Sequence, residues 1–224
     1  MLVLALDTAT PAVTAGVVEL SAEARTPRSA RVVHDPRKHG ELLMPGVLAA
    51  CADAGIALRE VDAVVSGAGP GPFTGLRVGM VTAAALGDAL GVPVHGVGTL
   101  DAIAADAAPR AGGDLLVVTD ARRREVYWAL YDIRGSLLSG PHVEAPAVLV
   151  GRLPELGAVA AAGGSAEVTG LPVLEPASPS PGGLVTVAAQ ALLAGADPGP
   201  FEPLYLRRPD AVEPAARKRV STGW

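Results

Sequence analysis

Cysteine is almost missing from this 224-residue chain: Cys51 stands alone, which excludes an internal disulfide framework and any zinc site built on several thiolates. Its apolar surroundings mark it as a small buried hydrophobe. Aromatic residues make up 3% of the sequence, and lysine is reduced to Lys38 and Lys218 beside sixteen arginines. With so much Ala, Gly and Pro, that ratio reflects GC-rich codon usage and carries no functional weight. No run approaches the ~20 apolar residues of a membrane span. The first one, Leu2–Leu6, is cut by Asp7 and follows no basic stretch, so a soluble, reduced, cytoplasmic protein is expected, with no membrane association. His34, His39, His95 and His142 show neither of the i, i+4 spacings that set two imidazoles on one helix face, so no metal is expected. No Gly-Lys-[Ser/Thr] closes a phosphate loop, and no Gly-x-Ser-x-Gly elbow occurs. A net charge of −5 argues against a protein that grips nucleic acid over its whole surface.

What is present is apolar and well punctuated: half the residues are hydrophobic and the mean hydropathy is +0.37, values that exclude a disordered chain. Short apolar runs predict strands at Met1–Leu6, Ala12–Leu20, Ala30–Val33, Ala63–Gly67 and Val92–Val97. Helical periodicity predicts a helix over Glu41–Ala54, regular from about Met44 because of Pro45, and others over Val78–Leu90 and Leu100–Ala107, the last capped by Thr99. Ala108–Gly113 reads as a seam. Beyond it come strands at Asp114–Thr119, Glu125–Asp132, Leu137–Leu138 and Ala158–Ala162, with helices at Val148–Leu153 and Leu184–Leu193. The order of the first half recurs weakly in the second. The expected organisation is therefore two related lobes, residues 1–107 and 114–206, and a tail, 207–224.

The loudest motif is the loop from Gly67 to Arg77, between a strand and a long helix. Its glycines permit close approach of a ligand to a helix start, with Thr74 as N-cap, yet Pro70 and Pro72 remove two amide donors; a tight structural turn explains the motif equally well. Asp7 and Asp120 each end an apolar strand, where carboxylates often hold a metal–nucleotide complex, although strand-end turn formers fit there too. Val78–Gly87 carries no charge and is rich in Gly and Ala, so the helix must be covered on nearly every side, by its own chain or by a partner. Residues 201–224 carry net +2, leaving −7 elsewhere; a basic tail can touch RNA or simply be solvated.

Several segments stand in a familiar order: Leu4–Thr10, His39–Pro45, Gly69–Gly79, Asp120–Arg122 with Glu125–Trp128, and Pro203–Arg207. From residue 1 to about 208 the set resembles the TsaB (YeaZ) family, which takes part in making the threonylcarbamoyladenosine of tRNA. That resemblance implies an α/β fold of actin-like ATPase (ribonuclease-H-like) type, two lobes each with a mixed sheet flanked by helices. It implies a non-catalytic scaffold subunit, with no cofactor, that pairs with and activates a TsaD-like transferase. A TsaE-like ATPase would join the complex, tRNA would be met indirectly, and the chain alone would be either a homodimer or a monomer. In TsaD a Gly-Val-Asn-His-x-x-x-His stretch binds the metal; here Thr99 and Ile103 stand where the histidines would be, and neither side chain can replace imidazole.

The candidate site residues follow. A vestigial nucleotide site would use Asp7, Thr8, Gly69, Gly71, Thr74, Gly75 and Asp120. The partner interface would use His39, Leu43, Val47, Val78, Gly79, Thr82, Ala83, Leu86 and Gly87. The competing expectation is a stand-alone enzyme of the same superfamily, an ATP-dependent phosphotransferase built on Asp7 and Asp120 or a metallopeptidase.

Overall fold

The structure is a computed structural model and describes residues 1–207. The expected tail, beyond Arg207, lies outside the described residues. Five strands form the first sheet: β1 (Leu2–Asp7), β2 (Ala12–Leu20), β3 (Arg25–His34), β4 (Ala63–Gly67) and β5 (Val94–Val97), in the order β3-β2-β1-β4-β5. β1 runs antiparallel to β2, pairing Asp7 with Thr14, and parallel to β4, pairing Leu6 with Ser66. Side chains alternate across a strand, and β1 divides its residues accordingly. Leu4 and Leu6 pack under α1 (His39–Asp53) and α2 (Phe73–Leu90), while Val3 and Ala5 pack under α5 (Pro181–Leu193).

The second sheet contains β6 (Leu115–Asp120), β7 (Val126–Tyr131), β8 (Leu137–Glu144), β9 (Ala160–Ala162) and β10 (Val173–Leu174), in the order β10-β9-β6-β7-β8. One face packs Leu115 and Val117 against Leu100 and Ile103 of α3 (Thr99–Ala107). The other packs Leu116, Val118 and Trp128 against Leu149 of α4 (Pro146–Leu156). Two mixed sheets flanked by helices are thus present, as expected. α3 serves both halves, because its Ala102 joins the core beneath α5 while Leu100 and Ile103 face the second sheet. α5 follows the second sheet in the chain yet covers the first.

Some boundaries differ from expectation for physical reasons. β3 extends back to Arg25 because only Ser21–Ala24 is needed to turn: the Ser21 amide donates to the Ala24 carbonyl, and the Ser21 hydroxyl accepts from Glu23 and Ala24. α1 is helical from His39 and continues through Pro45, rather than starting near Met44. Pro45 and Glu41 are both exposed, so the Glu41 carbonyl deprived of its donor can be hydrated. α2 begins at Phe73 with Pro72 flanking it, so Thr74 lies inside the first turn instead of capping it. Thr99 likewise opens α3 without capping it, because its hydroxyl is committed elsewhere.

Candidate functional site

Asp7, at the end of β1, is fully buried. Its Oδ1 accepts the Ala9 amide at 2.8 Å, and its Oδ2 accepts the Thr99 hydroxyl at 2.7 Å. Thr99 in turn accepts the Gly69 amide at 3.2 Å, and its own amide donates to the Gly69 carbonyl at 2.7 Å. One carboxylate therefore ties together the β1–β2 turn, the glycine-rich loop and the start of α3. Burial pushes its pKa up to about 6, against the lowering pull of those hydrogen bonds and of nearby His39. There is no slack around it: a Cβ at Gly67 would lie 1.6 Å from its Oδ2. Ile103 is fully buried against the second sheet.

The glycines of the loop serve the same close packing. A Cβ at Gly71 would meet the Ala9 carbonyl at 2.4 Å. The Thr8 hydroxyl donates to the Gly75 carbonyl at 2.7 Å and accepts the Gly79 amide at 2.8 Å, so it inserts at one i, i+4 pair of α2. A Cβ at Gly79 would lie 2.5 Å from that hydroxyl. Thr8, just beyond β1, and the helix touch at this point, and only glycine leaves the room.

The seven residues proposed to hold a nucleotide fall into three places. Asp7, Gly69 and Gly71 are buried in the chain's own packing. Thr8, Thr74 and Gly75 border a cavity of about 330 Å³ at the starts of α1 and α2. Asp120, at the end of β6, borders a different one with Thr10 and His34, of about 70 Å³. Ligand pockets run from roughly 300 Å³ upward, so the cavity beside Asp120 is smaller than a nucleotide needs. Asp120 accepts the Arg122 amide at 2.9 Å and lies 3.6 Å from its guanidinium, within a turn that holds Arg122, Arg123 and Arg124 at φ of 61°, 51° and 63°. Three successive non-glycine residues in the left-handed region cost roughly 1–2 kcal/mol each. Among the described residues no cluster of three or more His, Cys, Asp or Glu could hold a metal ion.

The residues expected at a partner interface need correction. Leu43, Val47, Gly79, Ala83, Leu86 and Gly87 are all buried in the chain's own interior. Leu43, Val47, Ala83 and Leu86 pack on Leu4 and Leu6, and a Cβ at Gly87 would meet Val94 at 2.1 Å. The small residues of α2 thus let the helix sit tightly on its own sheet. His39, Val78 and Thr82 are half-buried. The outward side of these helices is instead formed by Leu48 at 54% exposure, Val81 at 66%, Ala84 and Ala85, with Val32 and Val33 exposed on the neighbouring edge strand β3.

Sequence reasoning missed how the chain after α5 returns to the first sheet. Phe201 packs with Leu76 and Met80, and the Leu204 amide donates to the Ala68 carbonyl at 2.8 Å. Tyr205 stacks on Phe73 at 5.2 Å and accepts a hydrogen bond from Arg77 at 2.6 Å. Arg207 pairs with Glu125 and reaches the Ala121 carbonyl. The scarcity of aromatic residues was the available signal: Phe73, Phe201 and Tyr205 converge on one end of α2.

Three comparisons bear on identity. The family model for tRNA N6-adenosine threonylcarbamoyltransferase, TsaD, matches residues 33–204. An uncharacterised protein of Mycobacterium tuberculosis is 55% identical over 210 residues, 93% of each chain. The TsaB threonylcarbamoyladenosine biosynthesis protein of Escherichia coli is 38% identical over 97 residues, 43% of this chain and 42% of that one. A Pseudomonas aeruginosa crystal structure, described as similar to peptidase YeaZ, superposes with a TM-score of 0.74 at 30% identity, covering 92% of this chain and 99% of that one. With its sheet order, its glycine-rich loop and its strand-end aspartates in the places described, the chain belongs to the TsaB (YeaZ) family of TsaD-related proteins.

Proposed function

We propose that the chain acts in the biosynthesis of threonylcarbamoyladenosine in tRNA as a non-catalytic subunit, and that it docks on a TsaD-type transferase through the outward side of α1 and α2. The observation that carries this reading is the state of Thr99 and Ile103, which the resemblance puts where the transferase has its histidines. Thr99 is spent on Asp7, and Ile103 is sealed in the core. The region that would hold the metal has become packing, which leaves this chain to contribute a surface. The apolar outward side of the two helices, centred on Leu48 and Val81, is the best surface it offers. The same side would pair two copies in the absence of the transferase, and a TsaE-type ATPase would join the complete assembly. The narrow gap beside Asp120 and the enclosure of Asp7 speak against a stand-alone phosphotransferase.

Charge placed on the exposed side tests the reading without disturbing the fold. Val81→Arg and Leu48→Arg are expected to keep the native melting temperature and to weaken capture of a TsaD-type transferase at least tenfold, since a desolvated unpaired charge costs several kcal/mol at an interface. Undiminished capture by both folded variants would remove the docking assignment. Ala83→Arg, by contrast, tests folding, because Ala83 is buried.

A further inference from the structure

α2 turns one exposed stripe away from its sheet. Arg77, Val81, Ala84 and Asp88 are all exposed, and at ~100° per residue they fall within about 60° of one another around the helix. The stripe is apolar in the middle and carries opposite charges at its ends, about 16 Å apart at the helical rise. Beside it the returning chain, through Phe201 and Pro203, encloses a groove of about 390 Å³ with Arg77, Val81 and Ala84, floored by the buried Met80. Arg77 is held in place at the edge of that groove. Its guanidinium lies over the Phe73 ring, 3.8 Å from the ring centre, and its Nε donates to the Tyr205 hydroxyl at 2.6 Å. The two terminal amino groups of the fork are left to meet an acceptor. Among the described residues no carboxylate pairs with Arg77 and no basic group pairs with Asp88.

We propose that this stripe sets the register in which a second copy of the chain docks: two α2 helices pack antiparallel about a two-fold axis between Val81 and Ala84, and Arg77 of each copy meets Asp88 of the other. The inference deepens the docking side of α2 argued above and rests on it. Charge carries it. A two-fold contact must be complementary to itself, and a stripe that runs cation, apolar, apolar, anion is so in this arrangement. Parallel helices would set Arg77 against Arg77 and Asp88 against Asp88. Sliding the antiparallel pair by one turn sets Arg77 against Ala84, or Asp88 against Val81, and leaves a charge desolvated without a partner. In the paired register Val81 of each copy, 66% exposed in the single chain, lies against Ala84 of the other and enters its groove. The hold of Phe73 and Tyr205 on the guanidinium fixes it before contact, so little side-chain freedom is lost on pairing.

Sedimentation equilibrium of the full chain tests the register. The parent is expected to form a reversible dimer. Arg77→Glu and Asp88→Arg, both at exposed positions, should each keep the native melting temperature and weaken self-association at least tenfold, because by symmetry each change creates two like-charge contacts. The double variant Arg77→Glu, Asp88→Arg is complementary to itself again and should regain the parent's dimer affinity. An equimolar mixture of the two single variants should form mixed dimers at concentrations where neither dimerises alone, since each supplies the charge the other lacks. Single variants that dimerise as tightly as the parent, a double variant as weak as the singles, or a parent that stays monomeric would each overturn the proposal. A monomeric parent that still captures the transferase overturns this proposal alone; the docking reading falls only if Val81→Arg and Leu48→Arg leave that capture intact.

Discussion

Asp7 concentrates much of the energetics at one position. A carboxyl group that joins three chain segments while fully buried has a folded pKa of about 6, against an ordinary 3.8. The consequence for stability has a definite sign. Below about pH 3 the group is protonated in folded and unfolded chains alike and contributes no difference. Between pH 3 and 6 the unfolded chain releases its proton while the folded one retains it, so stability falls as pH rises. Above pH 6 the loss levels off, at about 3 kcal/mol for a shift of some two units. Asp7→Asn preserves the hydrogen-bonding geometry, with Oδ1 accepting from Ala9 and the amide NH2 donating to Thr99, and removes the titration. Urea unfolding of both proteins from pH 3 to 7 is therefore expected to show Asp7→Asn gaining on the parent by about 3 kcal/mol across that range, the gain levelling off above pH 6. A stability difference independent of pH would show that burial does not control this carboxyl group.

At the scale of elements, α2 shows how a strand and a helix can be joined by what a side chain leaves out. Helix propensity favours alanine over glycine by about 1 kcal/mol. At Gly79 the opposite result is expected, because the added Cβ would come within 2.5 Å of the Thr8 hydroxyl. Gly79→Ala should destabilise by roughly 1–3 kcal/mol, the usual cost of overpacking. Combined with Thr8→Ala, which vacates that space, it should cost less than the two single changes summed, as read from urea midpoints. The same helix marks the boundary of what could be read in the sequence. Its existence, its apolar character and the strand–loop–helix order were legible from periodicity and from the run of glycines. Which neighbour the small residues accommodate was not: composition says that Gly79, Ala83 and Gly87 permit close approach, and three-dimensional packing alone says that Thr8, Leu4, Leu6 and Val94 are what approaches. The strand-end position of Asp7 was likewise legible, but its enclosure was not, because Thr99 lies 92 residues away. The cavity at the helix starts gathers Thr8, His39, Thr74 and Gly75, residues the sequence marks singly, but their meeting there is set by packing alone.

Across the whole molecule, the strands of the two sheets divide at the seam near residue 110, but the helices that cover them do not. α3 follows the first sheet in the chain and covers the second; α5 follows the second and covers the first, where Leu184 and Val185 pack on Val3, Val18 and Leu20. Each sheet thus obtains one of its two covering layers from the connection to the other. Removing α5 would expose the Val3–Ala5 face of β1, so neither half has a complete core alone. The chain should then unfold as a unit, which can be read from Trp128, buried in the second sheet, once Trp224 is replaced by Phe. Its fluorescence and the far-ultraviolet dichroism of the whole chain are expected to follow one urea transition. Leu184→Ala, deep in the first-sheet core and remote in sequence from Trp128, should move both signals together by about 2–5 kcal/mol, the range for a buried leucine truncation. If the lobes were independent, Leu184→Ala would split the dichroism transition and leave the Trp128 midpoint in place, because the energy lost beneath α5 would not reach the second sheet.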